Sequence, residues 1–130
     1  MLSKKLNPKP TDAEWNILRV LWKRGSCTVR EVHEELNVTR PTGYTTVLKF
    51  MQIMTDKGLL LRDEKERAHV YRAVQTQASA QQRLLDDLVE KAFGGSAQRL
   101  VMHALSDHPT SPEELAEIRR LLDELEEKNA

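Results

Sequence analysis

A short stretch of the chain concentrates hydroxyl groups and positive charge. Between Asn37 and Thr55 the only charged side chains are Arg40 and Lys49, and both are basic. The same stretch contains the hydroxyl-bearing residues Thr39, Thr42, Tyr44, Thr45 and Thr46. Hydroxyl groups can hydrogen-bond to phosphates or base edges, threonine methyl groups can contact thymine, and cations attract phosphate. The pattern therefore predicts contacts with DNA, with Arg40 as a phosphate contact and Lys49 one helical turn beyond the hydroxyl residues.

The charge of the chain is divided unevenly along its length. The 130 residues contain 20 Lys plus Arg and 20 Asp plus Glu, so the formal net charge is zero. Residues 1–75 nevertheless contain 14 basic and 9 acidic side chains, whereas residues 76–130 contain 6 basic and 11 acidic ones. A basic first half favours a nucleic-acid partner, although such asymmetry can also serve solubility alone, and charge does not separate the two interpretations.

The sequence offers no residue pattern for catalysis or metal binding. The histidines His33, His69, His103 and His108 are scattered without an HExxH motif, and Cys27 has no ligand companion at a diagnostic spacing. The sequence also contains no phosphate-binding glycine loop and no GxSxG motif. We therefore expect no catalytic residue, no metal site and no cofactor, and we predict that the protein is not an enzyme.

Two helices are indicated near the start of the chain. Thr11 with Glu14, and Thr28 with Glu31, have the spacing of a capping box, in which side chains satisfy the free N–H groups of a helix start. The second helix is predicted to be about two turns long and to be followed by a turn at residues 37–40. Thr28 is a candidate phosphate contact because helix N-termini bind anions, but its capping role explains it equally well.

A third helix is predicted over about residues 41–57, because Pro41 suits a first helical position and apolar residues follow at helical spacing. Residues 59–62 and 68–73 are β-compatible runs, and the charged segment 63–67 between them predicts a hairpin. Three helices and a hairpin are the outline of a winged helix-turn-helix, whose third helix enters the major groove. The predicted fold is mainly α, with a small two- or three-stranded β wing.

The hairpin carries three further basic residues, Arg62, Lys65 and Arg67, which could reach a phosphate or the minor groove. Three acidic residues between positions 63 and 66 weaken their combined field. We therefore expect the wing to position the protein on DNA without specifying sequence.

The second part of the chain is predicted to form three amphipathic helices, the last opened by a capping box at Ser111 and Glu114. Their apolar faces would remain in water unless they packed on something, and a homodimer is favoured over folding back onto the first half. The candidate dimerisation residues are Leu84, Leu85, Leu88, Val89, Phe93, Leu100, Val101, Leu105, Ile118 and Leu122. We therefore predict a winged-helix DNA-binding domain at residues 1–75 and a helical dimerisation domain at residues 76–130.

The sequence also gives an expectation for the cellular location of the protein. No stretch approaches the ~18 consecutive apolar residues of a membrane span, and the lysine-bearing N-terminus lacks the apolar core of a secretory signal. Residues 4–10 look like a loose basic arm able to touch a phosphate backbone. A single cysteine fits a reducing compartment, so we expect a cytoplasmic protein without membrane insertion.

Several segments together resemble the penicillinase-repressor family of bacterial winged-helix regulators, the BlaI/MecI type. Besides Leu6, they are TDAEWNILRVLW at 11–22, YTTVL at 44–48, KGLL at 57–60, YRA at 71–73 and KAFGGSAQRLVMHAL at 91–105. The resemblance implies a homodimeric repressor that binds an inverted repeat in a promoter and blocks transcription. It also implies relief by a signal, which in this family usually comes from a membrane-bound sensor protease.

Two departures from the family pattern concern how repression is relieved. Members relieved by proteolysis are cut in the helix after the double glycine, and the best-known members have an Asn-Phe pair there, where this chain has His103 and Ala104. The copper-responsive branch carries clustered C-terminal cysteines, and no cysteine follows Cys27. The inducing signal and any small-molecule ligand therefore stay open. The alternative function is a winged-helix protein-interaction module without sequence-specific DNA binding, which salt-sensitive DNA binding would separate from a repressor.

Overall fold

The computed structural model describes residues 9–130 of the chain. Of the predicted basic arm at residues 4–10, only Lys9 and Pro10 fall within this range, and Leu6 lies outside the described residues. The described elements, in chain order, are α1 (Asp12–Arg24), α2 (Val29–Thr39), α3 (Tyr44–Asp56), β1 (Leu60–Asp63), β2 (Val70–Ala73), α4 (Gln77–Phe93), α5 (Ala97–Asp107) and α6 (Pro112–Asn129).

Three helices begin with the capping boxes that the sequence indicates. In each box the hydroxyl group accepts from the N–H of the glutamate, and the glutamate carboxylate accepts from the N–H of the capping residue. The boxes open α1, α2 and α6 and consist of Thr11 with Glu14, Thr28 with Glu31, and Ser111 with Glu114. These helix starts follow from sequence alone because every contact spans three residues.

Two predicted boundaries around α3 are wrong. Helix α2 has 11 residues and continues to Thr39, so most of the predicted turn at residues 37–40 is helical. Helix α3 begins at Tyr44 after the N-cap Gly43, so Pro41 is not a first helical residue. The residue before a proline is disfavoured in helical geometry, and Arg40 is extended at φ −148° and ψ 128°. Residues 40–43 therefore form the connection between α2 and α3.

The predicted wing is an antiparallel hairpin in which β1 pairs with β2 from Leu60 opposite Ala73 to Asp63 opposite Val70. A one-residue bridge extends the ladder, because Cys27 pairs with Tyr71. The Cys27 N–H donates to the Tyr71 carbonyl at 2.9 Å, and the Tyr71 N–H donates to the Cys27 carbonyl at 2.8 Å. The connection between α1 and α2 thus serves as a minimal third strand.

The described residues divide into two compact units, one ending at Leu84 and the other spanning Leu85–Ala130. The core lies in the first unit, where α1, α2, α3 and the hairpin contribute buried apolar side chains: Ile17, Leu18, Val20, Leu21, Cys27, Val29, Val32, Val47, Met51, Met54, Leu59, Leu60 and Tyr71. The functional division predicted between residues 75 and 76 stays a prediction, because compactness does not reveal which part binds DNA and which part dimerises.

The unit from Leu85 to Ala130 has no buried side chain among the described residues. Its apolar residues on α4, α5 and α6 are half-buried or exposed, and Leu88 and Leu122 are 45% and 53% exposed. No helix in the described part of the chain is both long and apolar enough to span a bilayer.

Candidate nucleic-acid interface

Helix α3 has one buried and one exposed side. Val47, Met51 and Met54 are at most 1% exposed and anchor the helix in the core of the first unit. The solvent side at the start of the helix presents Tyr44, Thr45, Thr46 and Lys49. A helix that is fixed by its apolar face and offers polar side chains near its N-terminus has the arrangement that major-groove recognition requires.

The far end of α3 is fastened to the start of α1. The Glu14 carboxylate is 2% exposed and accepts hydrogen bonds from Lys57 Nζ at 2.8 and 3.0 Å. The same carboxylate accepts from the Thr11 N–H at 2.9 Å, so the buried charge is paired and hydrogen-bonded. This long-range contact, which the sequence did not indicate, holds the C-terminal end of α3 against the start of α1.

The predicted site residues Arg40 and Thr42 belong to the connection between α2 and α3. Arg40 is exposed, and no carboxylate within residues 9–130 forms an ion pair with it. Thr42 was predicted to lie on the recognition helix, and that placement is wrong. Its side chain is half-buried, and its hydroxyl donates to the Arg40 carbonyl at 3.0 Å. This hydroxyl therefore closes the turn, whereas Arg40 stays open to solvent.

Two residues that the sequence analysis did not select lie directly behind this connection. His33 Nε2 lies 2.7 Å from the Thr42 carbonyl oxygen, and because a carbonyl only accepts, the ring N–H donates. The Asn37 side-chain oxygen accepts from the Thr42 N–H at 2.9 Å. The His33 ring also meets the Tyr44 ring edge to face, with centroids 5.8 Å apart. The only sequence signal for this pair is two polar residues four positions apart beside a turn.

The wing presents its basic residues unequally. Arg62 is paired with the Glu64 carboxylate, with Nη2 at 2.9 Å and Nε at 3.0 Å. A side-chain hydrogen bond with Tyr71, followed by the bond and charge of Glu64, raises the pKa of Arg62. Lys65 and Arg67 are exposed and form no ion pair with any described carboxylate. Lys65 and Arg67 are therefore available to contact phosphate, whereas Arg62 would have to break its ion pair with Glu64 to do so.

Thr28 is fully engaged as the cap of α2. Its N–H donates to Glu31 Oε1 at 2.9 Å, and its hydroxyl accepts from the Glu31 N–H at 3.2 Å. The backbone hydrogen bond from Thr28 is the largest of the effects that lower the pKa of Glu31. A carboxylate thus already occupies the helix start where a phosphate was considered, which favours the capping role of Thr28.

Within residues 9–130, no group of three or more His, Cys, Asp or Glu side chains is arranged to hold a metal ion. The four histidines serve local contacts. His33 holds the α2–α3 connection, His69 lies near Glu64, the His103 ring lies against Phe93, and His108 Nδ1 lies 3.0 Å from the Ala104 carbonyl.

Known proteins resemble this chain over most of its length. The sequence pattern of a family described as "Penicillinase repressor" matches residues 10–124. "Transcriptional regulator BlaI" of Mycobacterium tuberculosis is 34% identical over 117 residues, which cover 88% of this chain and 83% of that protein. "Penicillinase repressor" of Bacillus licheniformis is 25% identical over 117 residues, covering 90% of this chain and 91% of that protein.

A solved structure resembles the first part of the chain. It is titled as the solution structure of the DNA-binding domain of the repressor BlaI, and it matches with a TM-score of 0.50 and 28% sequence identity. The match covers 55% of this chain and 87% of that chain. Together with the order of three helices and a hairpin, it confirms the predicted winged helix-turn-helix fold.

Proposed function

Because the chain belongs to the penicillinase repressor family, we propose that it is a cytoplasmic transcriptional repressor that binds, as a homodimer, an inverted-repeat operator in its own or a neighbouring promoter. Its relatives are named as regulators and repressors of transcription, so the chain is a DNA-binding regulator and not an enzyme. The observation that carries the operator proposal is the exposed polar start of α3 on a helix whose opposite face is buried.

The proposed DNA contacts divide by chemistry. Tyr44, Thr45 and Thr46 meet base edges in the major groove, because they lie on the exposed side of the first turn of α3. The exposed cations flank this turn, on the connection before it, on the next turn of the helix and on the wing, and they meet phosphates. They are Arg40, Lys49, Lys65 and Arg67, with Arg62 as a weaker candidate because of its pairing with Glu64.

The remaining two candidates have smaller parts in this proposal. Thr42 contributes through the shape of the connection, since its hydroxyl donates to the Arg40 carbonyl. Thr28 contributes through the start of α2, where its contacts already go to Glu31. Affinity should therefore depend mainly on phosphate contacts and fall as salt rises, whereas specificity should come from the opening of α3.

The exposed apolar side chains of residues 76–130 support dimerisation. Leu84, Leu85 and Leu88 follow one another on α4 at 53%, 41% and 45% exposure. Val101 and Leu105 on α5, and Leu122 on α6, are 43%, 36% and 53% exposed. A twofold pairing of two chains would cover this apolar surface and set the separation of two DNA-binding units.

Repression is proposed to end through an upstream signal, for which a membrane sensor protease is the source that the family resemblance suggests. The positions that correspond to the cleavage pair, His103 and Ala104, lie inside helix α5. A protease needs an extended substrate, so cutting there would require part of this helix to unwind. The family pair is replaced at both positions, so the proposal does not depend on cleavage at this bond.

The experiment that tests the proposal measures fluorescence anisotropy of the purified full chain with a duplex from its own upstream region and with a scrambled duplex. We expect tighter binding to the native duplex, and affinity that falls as salt rises between two or more concentrations. Equal, weak binding to both duplexes would contradict this operator assignment. A pull-down would then test the protein-interaction alternative.

A substitution in α3 sharpens this experiment. We expect Thr46→Ala to weaken operator binding by about 1–3 kcal/mol and to leave the fold intact, because the side chain is exposed and its loss removes one base contact. The control is Thr110→Ala in the connection before α6, which removes a threonine hydroxyl outside the proposed DNA contacts and should leave operator binding at the wild-type level. Operator affinity that is the same in both variants would exclude Thr46 as a base contact.

A further inference from the structure

Helix α3 does not begin with a capping box, unlike three of the other helices. Helices α1, α2 and α6 each begin with a hydroxyl residue and a glutamate in a capping box. The N-cap of α3 is Gly43, which has no side chain and makes no capping hydrogen bond. The helix that is proposed to read bases is therefore fixed at its start by contacts from elsewhere.

Those contacts come from α2 and hold both backbone polar groups of Thr42. The His33 ring donates from Nε2 to the Thr42 carbonyl at 2.7 Å, and the Asn37 side-chain oxygen accepts from the Thr42 N–H at 2.9 Å. His33 and Asn37 are four residues apart and so lie one turn apart on the same face of α2. Two side chains of one helix therefore hold Thr42 through its carbonyl and its N–H.

His33 also reaches the first residue of α3. Its ring meets the Tyr44 ring at an interplanar angle of 82° with centroids 5.8 Å apart, which is the edge-to-face geometry that aromatic pairs prefer. Tyr44 is 47% exposed, so one side of its ring is held by His33 while the rest stays open to a ligand. One half-buried side chain thus contacts both the connection and a proposed base-contacting residue.

We propose that His33 and Asn37 are positioning residues for sequence-specific DNA recognition: they fix the Thr42 backbone, and His33 in addition sets the orientation of the Tyr44 ring. This inference rests on the proposed function of α3 as the recognition helix. Neither residue needs to touch DNA. Loss of either contact would let the start of α3 take several conformations without removing the phosphate-attracting cations Arg40 and Lys49. Operator binding should suffer, whereas binding to random DNA should not.

Substitutions can separate the hydrogen bond of His33 from its ring contact. His33→Phe keeps an aromatic ring beside Tyr44 and removes the donor, and His33→Gln keeps a donor at similar reach and removes the ring. Asn37→Ala removes the acceptor for the Thr42 N–H. The control is Val38→Ala, also on α2, because the Val38 side chain is 86% exposed.

We expect His33→Phe and Asn37→Ala to weaken operator binding about tenfold and to change scrambled-duplex binding less than about twofold. His33→Gln should fall between His33→Phe and the wild type, and Val38→Ala should match the wild type. Equal losses on both duplexes, or operator binding by His33→Phe at the wild-type level, would overturn the proposal.

Amide hydrogen exchange of the full chain without DNA gives a second, independent readout. In His33→Phe and Asn37→Ala we expect about tenfold faster exchange at the Thr42 N–H and at the Val47 N–H, which donates to the Gly43 carbonyl at 3.1 Å. The Cys27 N–H, bonded to Tyr71, should exchange as in the wild type.

Unchanged exchange at Thr42 and Val47 would overturn the proposal, and so would a uniform increase that includes Cys27, since that would show a general loss of stability. A wild-type chain without preference for the native duplex would contradict the proposed function instead. The exchange measurement still decides whether His33 and Asn37 fix the start of α3 in that case.

Discussion

The two units of the chain bury their apolar residues to different degrees. In the unit that ends at Leu84, Val32, Met51 and Met54 are fully buried, and even the charged Glu14 is 2% exposed. In the unit from Leu85 to Ala130, no side chain among the described residues is buried. Both units nevertheless contain helices, and α6 has the same kind of cap as α1 and α2.

This difference shows that the interactions that form a helix are not the interactions that bury its apolar face. Capping boxes and apolar spacing are local, so both units form helices. Stability in water comes mostly from burying apolar faces, and only the first unit does so among its own described residues. The second unit does not cover its apolar faces with its own residues, and a second copy of the chain, as in the proposed dimer, would cover them.

The largest expected difference in stability between the two units concerns two methionines. Met51 is 0% exposed in the first unit, and Met102 is 59% exposed in the second. We expect Met51→Ala to lower the free energy of unfolding by about 2–5 kcal/mol, because it leaves a cavity in a packed core. Met102→Ala should change it by less than about 0.5 kcal/mol at protein concentrations where the chain is monomeric. Urea unfolding of both variants measures these values, and equal losses would erase the distinction between the units.

The need for a partner is tested by a charge on α4. We expect Leu88→Asp to raise the dimer dissociation constant at least about 100-fold, which is about 2.7 kcal/mol, because a carboxylate would be buried in the apolar contact. Ser79→Asp on the same helix introduces the same charge at an exposed position about half a turn around the helix from Leu88, and it should leave the dimer intact. Analytical ultracentrifugation over a range of concentrations measures both, and a Leu88→Asp chain that still sediments as a dimer would show that the interface lies elsewhere.

The ion pairs of the two units should also differ in how much they contribute to the free energy of unfolding. Lys57 is paired with buried Glu14, and we expect Lys57→Met to lower the free energy of unfolding by about 1–2 kcal/mol, since it leaves a carboxylate without its cation. The double variant Glu14→Gln/Lys57→Met should recover part of this loss. Arg120→Met breaks an exposed pair with Glu117 in the second unit and should have no measurable effect. Thermal unfolding that ranks the two single variants in the opposite order would contradict this prediction.

The smallest expected effect on stability concerns the capping glutamates, because each unit contains a helix that begins with a capping box. The Thr28 backbone N–H bonded to Glu31 lowers the pKa of this carboxyl below its ordinary value of 4.5. A lowered pKa in the folded state stabilises the fold above pH 4.5, and this contribution disappears as the pH falls through the folded-state pKa. Glu31→Gln should therefore reduce the loss of stability between about pH 7 and about pH 3, as followed by circular dichroism during unfolding.

Glu114 provides the matched comparison in the other unit. The Ser111 backbone N–H lowers the pKa of Glu114 in the same way. We expect Glu114→Gln to alter the acid dependence of helix content only, because no buried core depends on α6 within one chain. Identical effects of both substitutions on cooperative unfolding would count against the contrast between the units.

The sequence predicted the local features of the fold and missed the long-range ones. The starts of α1, α2 and α6 follow from side chains three residues apart, and the hairpin from two β-compatible runs around a charged tip. The start of α3 was placed at Pro41 because that residue type suits a first helical position. In the structure the helix begins after Gly43, and His33 and Asn37 bind the Thr42 backbone just before it, which a linear sequence pattern does not show.

The candidate site shows the same limit. The exposed residues Tyr44, Thr45, Thr46 and Lys49 could be selected from their types and spacing alone. The pairing of Glu14 with Lys57 could not, because the two residues are distant in sequence and either could have stood alone on the surface. The engagement of Arg62 by Glu64 and Tyr71 also depends on the register of the hairpin, which composition does not determine.

The bridge between Cys27 and Tyr71 has a consequence for the reactivity of the chain. Cys27 is the sole cysteine of the sequence, its side chain is 1% exposed, and burial raises the pKa of its thiol. Thiol reagents attack the thiolate, so both access and ionisation are suppressed while strand β2 stays paired with this residue. Oxidants and alkylating agents should therefore modify the chain only when the base of the wing opens. The thiol is a built-in chemical reporter of that opening, and it requires no added label.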